Sequence, residues 1–502
     1  MKRGLSLLTM VAFGCTAGQL RAQQDLAPSA SGKSAQRNPV EQMRLTTKSA
    51  HAGELFAQAI LLSGNYRLDE CLKDLRTAVS EDPHFAAGWS LLAYFATDSH
   101  EAADALASAQ SLVGKSSPSE MLFIRWVAAL KQNDQLAAIS NLNDLVKRAS
   151  GDKFVLYLAG RWFVDQHDQQ RAILLFEKVL SLDPQFTPVL NRLGYAYAAL
   201  GDMPRAESLM QRYITAMPAD PNPEDSYGDI LFKAGRYDEA RAHFESALEK
   251  DPAFGPSQHE LGDVFALEGK QDEAREAYRK SALKAANPRR SLEYRSSIAL
   301  MYVRQNQFLL ADMEYLTLAA EAKSKKFTDL EASFHEAMAL YQPDDLEAMK
   351  HLDAAEDAIR SDLDLATVTR DEHMAVIRRW RGVRSLYAGN PAMADVCIRV
   401  MRQKYESTEN DFIGSQLHAL RGAWLVEQHK YREAIPELEQ AGEDAFSLDL
   451  LVRAKRESGD APGADATLRQ LFSIHASTMD AVLVVEPRRQ KSAVSETVSS
   501  SR

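Results

Sequence analysis

Between residues 153 and 288 the apolar positions come in paired amphipathic runs of helical period, separated by small turn residues and charged faces. The stretch "AGRYDEARAHFESALEKDP" (234–252) is typical: a glycine turn, a charged helix with alanines on one face, and a closing Asp-Pro. Related stretches are "GDMPRAESLMQRYITAMP" (201–218) and "EGKQDEAREAYRKSALKA" (268–285). Aligned on Ala240, backward steps of 34 land on Ala206, Ala172 and Ala138; a step of 33 gives Ala105 and another of 34 gives Cys71. Forward, 34 gives Ala274, and looser intervals of 37, 37, 46, 40 and 30 give Ala311, Ala348, Ala394, Ala434 and Ala464. A small residue recurring at this period predicts a stacked helical array.

Further slots recur with the alanines. Gly160, Gly194, Gly228 and Gly262 lie twelve residues before Ala172, Ala206, Ala240 and Ala274, and Phe176, Met210, Phe244 and Tyr278 lie four residues after them. Two helices joined by a turn as short as Gly201-Asp202 or Gly235-Arg236 must pack antiparallel, and close approach of their axes needs small side chains at the crossing. No single hairpin buries its own apolar face, so each becomes part of the next one's core.

This pattern resembles the tetratricopeptide repeat, with a small residue midway along each of two helices, an aromatic one turn on, and a terminal proline as at Pro184, Pro218 and Pro252. "LNRLGYAY" (190–197) and "GWSLLAYFA" (88–96) fit its first helix. The resemblance implies an all-α fold, a right-handed α-solenoid of about twelve repeats over 52–474. Trp126 stands where the third unit calls for glycine, and "YQPDDLEAMKHL" (341–352) reads as a shortened hairpin. The expected organisation is a signal peptide (1–22), a disordered linker (23–50), a regular array (51–288), a degenerate array (289–474) and a disordered tail (475–502).

The first residues add a location. Met1-Lys2-Arg3 followed by the apolar "GLSLLTMVAFG" (4–14) has the form of an export signal, with cleavage after Ala22 leaving Gln23, or after Ala17. Cys15 leaves a lipoprotein as the alternative, and only that lipidation would bring a membrane into contact. The expectation is export to the periplasm or beyond, in a bacterium. With Cys71 and Cys397 as the only other cysteines there is no disulfide framework, and both fall at small-residue helix positions. A net charge of −11 without a basic stripe argues against nucleic acid.

Catalytic constellations do not emerge: no GxxxxGK[ST], no GxSxG and no HExxH, so catalytic, cofactor and metal sites are all expected to be absent. "SFHEAM" (333–338) lacks a second histidine one turn on; His335 and His351 read as helix-surface or half-buried residues. The acid pairs Asp238-Glu239 and Asp272-Glu273 begin second helices, where they complement the helix dipole. "IRRWRGVRSL" (377–386) is either a patch for phosphate, polysaccharide or an acidic partner, or a solvated helix face around Trp380.

The resemblance implies a concave face lined by first-helix residues. Here these are Tyr94, Phe123, Tyr157, Arg161, Asn191 and Tyr195 in an aromatic half, then Asp225, Asp229, His259 and Asp263 in an acidic half. The aromatics either contact a partner or extend the inter-repeat core, and the acidic end favours a basic or amine-bearing partner. Asp, Tyr and His replace the lysines and asparagines by which chaperone-binding members hold a C-terminal carboxylate. The ladder of asparagines and following catalytic domain of sugar-nucleotide transferases are missing too: on this face only Asn191 appears. The expected function is a non-enzymatic protein- or peptide-binding scaffold of the cell envelope. Its rivals are a subunit of an envelope secretion, pilus or polysaccharide-export complex, and an enzyme with its site in 289–474.

Overall fold

The computed structural model describes residues 41–492 apart from Tyr66, Thr97, Asn133 and His167, so the expected signal segment and Cys15 lie outside the described residues. The chain divides into two compact units that meet in sequence at Pro218 and Ala219. The first holds five helix pairs: α1 (Ala50–Gly64) with α2 (Leu68–Glu81), α3 (Ala86–Phe95) with α4 (Ser99–Ser111), α5 (Pro118–Lys131) with α6 (Gln135–Arg148), α7 (Lys153–Asp165) with α8 (Gln169–Leu182), and α9 (Thr187–Ala199) with α10 (Met203–Ala216). The second holds seven. These are α11 (Asn222–Lys233) with α12 (Tyr237–Lys250), α13 (Gly255–Leu267) with α14 (Gln271–Leu283), α15 (Pro288–Arg304) with α16 (Phe308–Ser324), and α17 (Thr328–Tyr341) with α18 (Asp345–Ser361). They continue as α19 (Thr367–Tyr387) with α20 (Pro391–Thr408), α21 (Asp411–Glu427) with α22 (Tyr431–Gln440), and α23 (Ala445–Glu457) with α24 (Ala461–Phe472). Within each unit every pair packs internally and against the next. Among the described residues there is no strand.

All twelve small residues of the 34-residue slot, from Cys71 to Ala464, fall on the second helix of a pair and are at most 1% exposed. The glycines explain the partner slot. A Cβ placed on Gly160, Gly228 or Gly262 would stand 2.4, 2.6 or 2.4 Å from the ring of Phe176, Phe244 or Tyr278. Helix axes thus come close at the glycine, and the aromatic of the second helix lies over its bare backbone. The third pair inverts the exchange: Trp126 fills the glycine's place and Leu142 replaces the aromatic, both buried, so Ala138 keeps its register. In the later half Gly422 repeats the device, its absent Cβ 2.4 Å from Leu438 Cδ2.

The looser spacing after 288 has a plain cause. Helices α5–α14 run 12–14 residues, whereas α15, α16 and α18–α21 run 17–21. The hairpin at 341–352 is not shortened, since α17 and α18 are 14 and 17 residues long and only their link, Gln342–Asp344, is brief. Turns such as Gly201 and Gly235 take φ of +78° and +75°; Asn306 and His429 adopt +58° and +61° at equivalent corners, where L side chains are strained.

Both terminal segments differ from expectation where they are described. Residues 41–49, expected within a disordered linker, run across the first unit: Asp152 accepts the Met43 N–H (3.0 Å), Glu120 the Thr46 hydroxyl (2.5 Å) and Asp82 the Thr47 hydroxyl (2.7 Å). Their polar composition hid this, because acids at helix ends hold them, with Met43 as the buried apolar anchor. Residues 475–492, expected as a loose tail, contain a π-helical turn, Ala481–Val485, that buries Ala481, Val482, Val484 and Val485 in the second unit. The short run "AVLVV" is too brief to declare itself by periodicity. No helix among the described residues is long and apolar enough to cross a membrane.

Candidate functional site

The aromatic half of the expected face is core. Phe123 and Tyr157 are fully buried and Asn191 is 4% exposed. Phe123 meets Phe56 and Trp126 (ring centroids 6.3 and 5.8 Å), and Tyr157 meets Phe186 and Phe176 (5.3 and 6.2 Å). Tyr94, half-buried, lies against Phe95 and Trp126. Arg161 donates to Ser63 Oγ (3.2 Å) over the Phe95 ring. The cause is α1, whose end covers this face: a Cβ on Gly64 would stand 2.5 Å from Pro188 Cβ and 2.6 Å from the Tyr157 hydroxyl. Phe123, Tyr157 and Asn191 are therefore corrected from partner-binding to packing residues. Tyr195 is half-buried on α9.

The acidic half gathers into one site in the second unit. Spacing by four residues puts Asp225 and Asp229 on one face of α11, and the same spacing puts His259 and Asp263 on one face of α13. Ser257 donates to Asp225 (2.6 Å), Lys233 to Asp229 (2.6 Å), and the Tyr278 hydroxyl to Asp263 (2.5 Å). His259 stacks on Tyr294 at 4.8 Å and pairs through Nε2 with Ser297 Oγ (2.9 Å). The sequence reading missed Glu260, which lies one position off the counted register, three residues before Asp263. Burial, with Asp263, Asp229 and Asp225 adding repulsion, holds its carboxyl well above the ordinary range. Burial raises Asp263 too, and pushes Asp225 up to about 7 with Asp229 contributing. His259 is pushed down by burial. Donor atoms of His259, Glu260 and Asp263 lie within 4.8 Å of one another, the one such grouping among the described residues.

The raised pKa has a sign that can be tested. Above about pH 7 folded Asp225 is ionised against its surroundings, and between its unfolded value and that point the folded state binds the extra proton. Its destabilising contribution is therefore absent at low pH and complete at high pH. Asp225→Asn, which can still accept from Ser257, is expected to gain on the order of 4 kcal/mol relative to wild type between pH 4 and pH 8. Thermal unfolding of both proteins across that range gives the measurement; a pH-independent difference would contradict the burial of this carboxylate.

The arginine stretch is neither a free patch nor a solvated face. Arg379 is 5% exposed and holds Asp444 (2.8 Å), Gln416 (3.1 Å) and Ser447 (3.3 Å). Arg381 binds Asp353 and Glu356, and Arg384 binds Asp345 and two α17 carbonyls. Trp380 packs on Phe446. His335 and His351, from different helices, meet with Nδ1 atoms 3.3 Å apart, and burial with its neighbour's charge pushes His335 down to about 4. Cys71 and Cys397 are buried free thiols, Cys71 pushed up to about 12 by burial. Asp238-Glu239 and Asp272-Glu273 occupy the first turns of α12 and α14.

With this geometry in place, the chain is a tetratricopeptide repeat protein: family models for that repeat match residues 163–224 and 228–290, and the buried small-residue slot continues on either side of them. Over 118 residues it is 29% identical to human protein O-mannosyl-transferase TMTC2, which covers 23% of this chain. The chain spans 14% of the length of that curated relative. Similar solved structures include yeast Tom70 (14% identity, 84% of this chain and 97% of that one, TM-score 0.42). Another is PilW, a widely conserved type IV pilus biogenesis factor (17% identity, 40% and 92% covered, TM-score 0.34). MamA from Desulfovibrio magneticus RS-1 is also similar (20% identity, 33% and 94% covered, TM-score 0.30).

Proposed function

We propose that this chain is an exported, non-enzymatic scaffold of the bacterial cell envelope, which holds a basic segment of a protein partner against the acidic site on α11 and α13. The observation that carries the reading is the convergence of Asp225, Asp229, Glu260 and Asp263, two of them raised by mutual repulsion as well as burial. A lysine or arginine side chain would remove that repulsion and take the protons' place. The N-terminal segment supports export, with Gln23 as the first residue of the exported form. N-terminal sequencing of the envelope fraction tests that part.

Fluorescence anisotropy with a fluorescein-labelled octalysine peptide tests the binding site. Wild type is expected to bind at least tenfold more tightly than Asp225→Asn/Asp229→Asn. A control pair in exposed acids of the same unit, Asp357→Asn/Asp364→Asn, should stay within twofold of wild type. Equal loss in both variants would mean that net charge alone attracts the peptide.

A further inference from the structure

The segment after α24 returns to early helices of its own unit. The Tyr237 hydroxyl at the start of α12 lies 2.5 Å from His475 Nδ1, and Ser477 Oγ lies 3.5 Å from the Tyr278 hydroxyl and 3.4 Å from Arg304 Nη2. Val482 enters the core cluster of α13–α17, and Glu486 faces Arg304 at 2.9 Å. The far side holds to the end of the array: Val484 and Val485 pack with Leu448 of α23, and Arg488 pairs with Asp449 (2.6 Å). One strap of chain thus joins α12–α15 to α23. It also abuts the acidic site, because the Tyr278 hydroxyl that Ser477 approaches is the donor to Asp263.

Its polar contacts around Arg304 and Ser477 are poorly satisfied, whereas His475, Arg488 and Arg489 are well paired. Arg304 is buried, yet its Nε and Nη1 have no hydrogen-bond partner, and Glu486 Oε1 is close to the guanidinium without an aligned bond. Both Ser477 contacts stand at the limit of hydrogen-bond length. The apolar anchor is a π-helical turn, a rare geometry that is frequent at functional sites. Buried donors left unpaired weaken the closed arrangement, since each forfeits its bonds to water.

We propose that residues 475–489 are a displaceable strap, closed over the α12–α15 side of the acidic site, and that a basic partner segment binds by lifting it. This rests on the acidic-site reading above. The strap is the occupant of this surface when no partner is present; the partner's basic side chain reaches Asp263 and Glu260 from the side where Ser477 now sits.

Two measurements on the full chain test it with octalysine as the probe. Amide hydrogen exchange of residues 475–489 is expected to accelerate at least fivefold at saturating peptide, while exchange in α21 and α22 stays unchanged. His475→Ala/Ser477→Ala removes the His475 bond to Tyr237 and the Ser477 contacts to Tyr278 and Arg304, and leaves the Glu486–Arg304 pair and the valine anchor in place. That variant is expected to bind octalysine at least fivefold more tightly than wild type. Unchanged exchange together with unchanged affinity overturns the strap and leaves the acidic site standing. No binding to either protein sinks the acidic-site reading and the strap with it.

Discussion

Arg379→Ala is expected to destabilise the second unit by about 3 kcal/mol, measured as a shift of the urea unfolding midpoint. Removing one member of a buried ion pair typically costs ~3–5 kcal/mol because the other charge is left without compensation. Here the guanidinium is almost fully buried while the Asp444 carboxylate keeps some access to water, which places the value at the low end. Asp444 also caps α23 through the Ser447 N–H, so the loss reaches a helix terminus as well as a side-chain pair. Burial alone would raise the Asp444 carboxyl; the Arg379 guanidinium and the Ser447 bonds hold it below its ordinary value. A depressed carboxylate contributes stability above its unfolded pKa, and that stability is lost as pH falls through the folded value. The cost of Arg379→Ala should therefore shrink toward pH 3. Arg379→Met combined with Asp444→Asn should recover most of it at neutral pH, since a neutral cap remains and no charge is stranded. A double variant as unstable as the single one would show that the guanidinium's packing, not its charge, matters here.

Gly160→Ala is expected to cost about 1–2 kcal/mol net, and Gly194→Ala well under half of that. Both occupy the same slot of successive repeats and both gain the same helix propensity, ~1 kcal/mol, on receiving a methyl group. What the new carbon meets differs. At Gly160 it comes within 2.4, 2.8 and 3.0 Å of three atoms of the Phe176 ring, which is rigid and 2% exposed. Overpacking of that kind costs ~1–3 kcal/mol and moves the helices apart. At Gly194 the close atom is the terminal Met210 Cε at 2.2 Å, with the next at 3.3 Å, and a methionine rotates its end at small cost. Thermal unfolding of the two variants side by side reads the contrast. Equal destabilisation would show that backbone approach rather than the facing side chain sets the limit.

The repeat was legible because its cause is local and periodic. One small residue must stand at each helix crossing, and from Cys71 to Ala464 each does. Even Trp126, which breaks the glycine slot, is compensated four residues beyond Ala138 by Leu142, a pattern visible in the sequence once the slot is known. Asp225, Asp229, His259 and Asp263 were found the same way, by repeat position.

Other features depended on residues far apart in the chain, and periodicity does not carry such pairings. Nothing near Tyr157 or Phe123 foretells that α1 will cover them, since that follows from where five stacked pairs bring Gly64 and Pro188. Arg379 reads as surface until a helix 65 residues later supplies Asp444. Glu260 has its raised carboxyl because the packed helices bury it, with Asp263 and the two α11 aspartates adding repulsion. The strap joins His475 to Tyr237 across 238 residues. The sequence by itself determined the helices, their pairing and the small-residue seam, because these rest on contacts within one repeat or between neighbours. Only the tertiary structure decided which residues of the inner faces are sealed and which gather as an acidic site, because burial and charge density are sums over segments that the fold alone brings together.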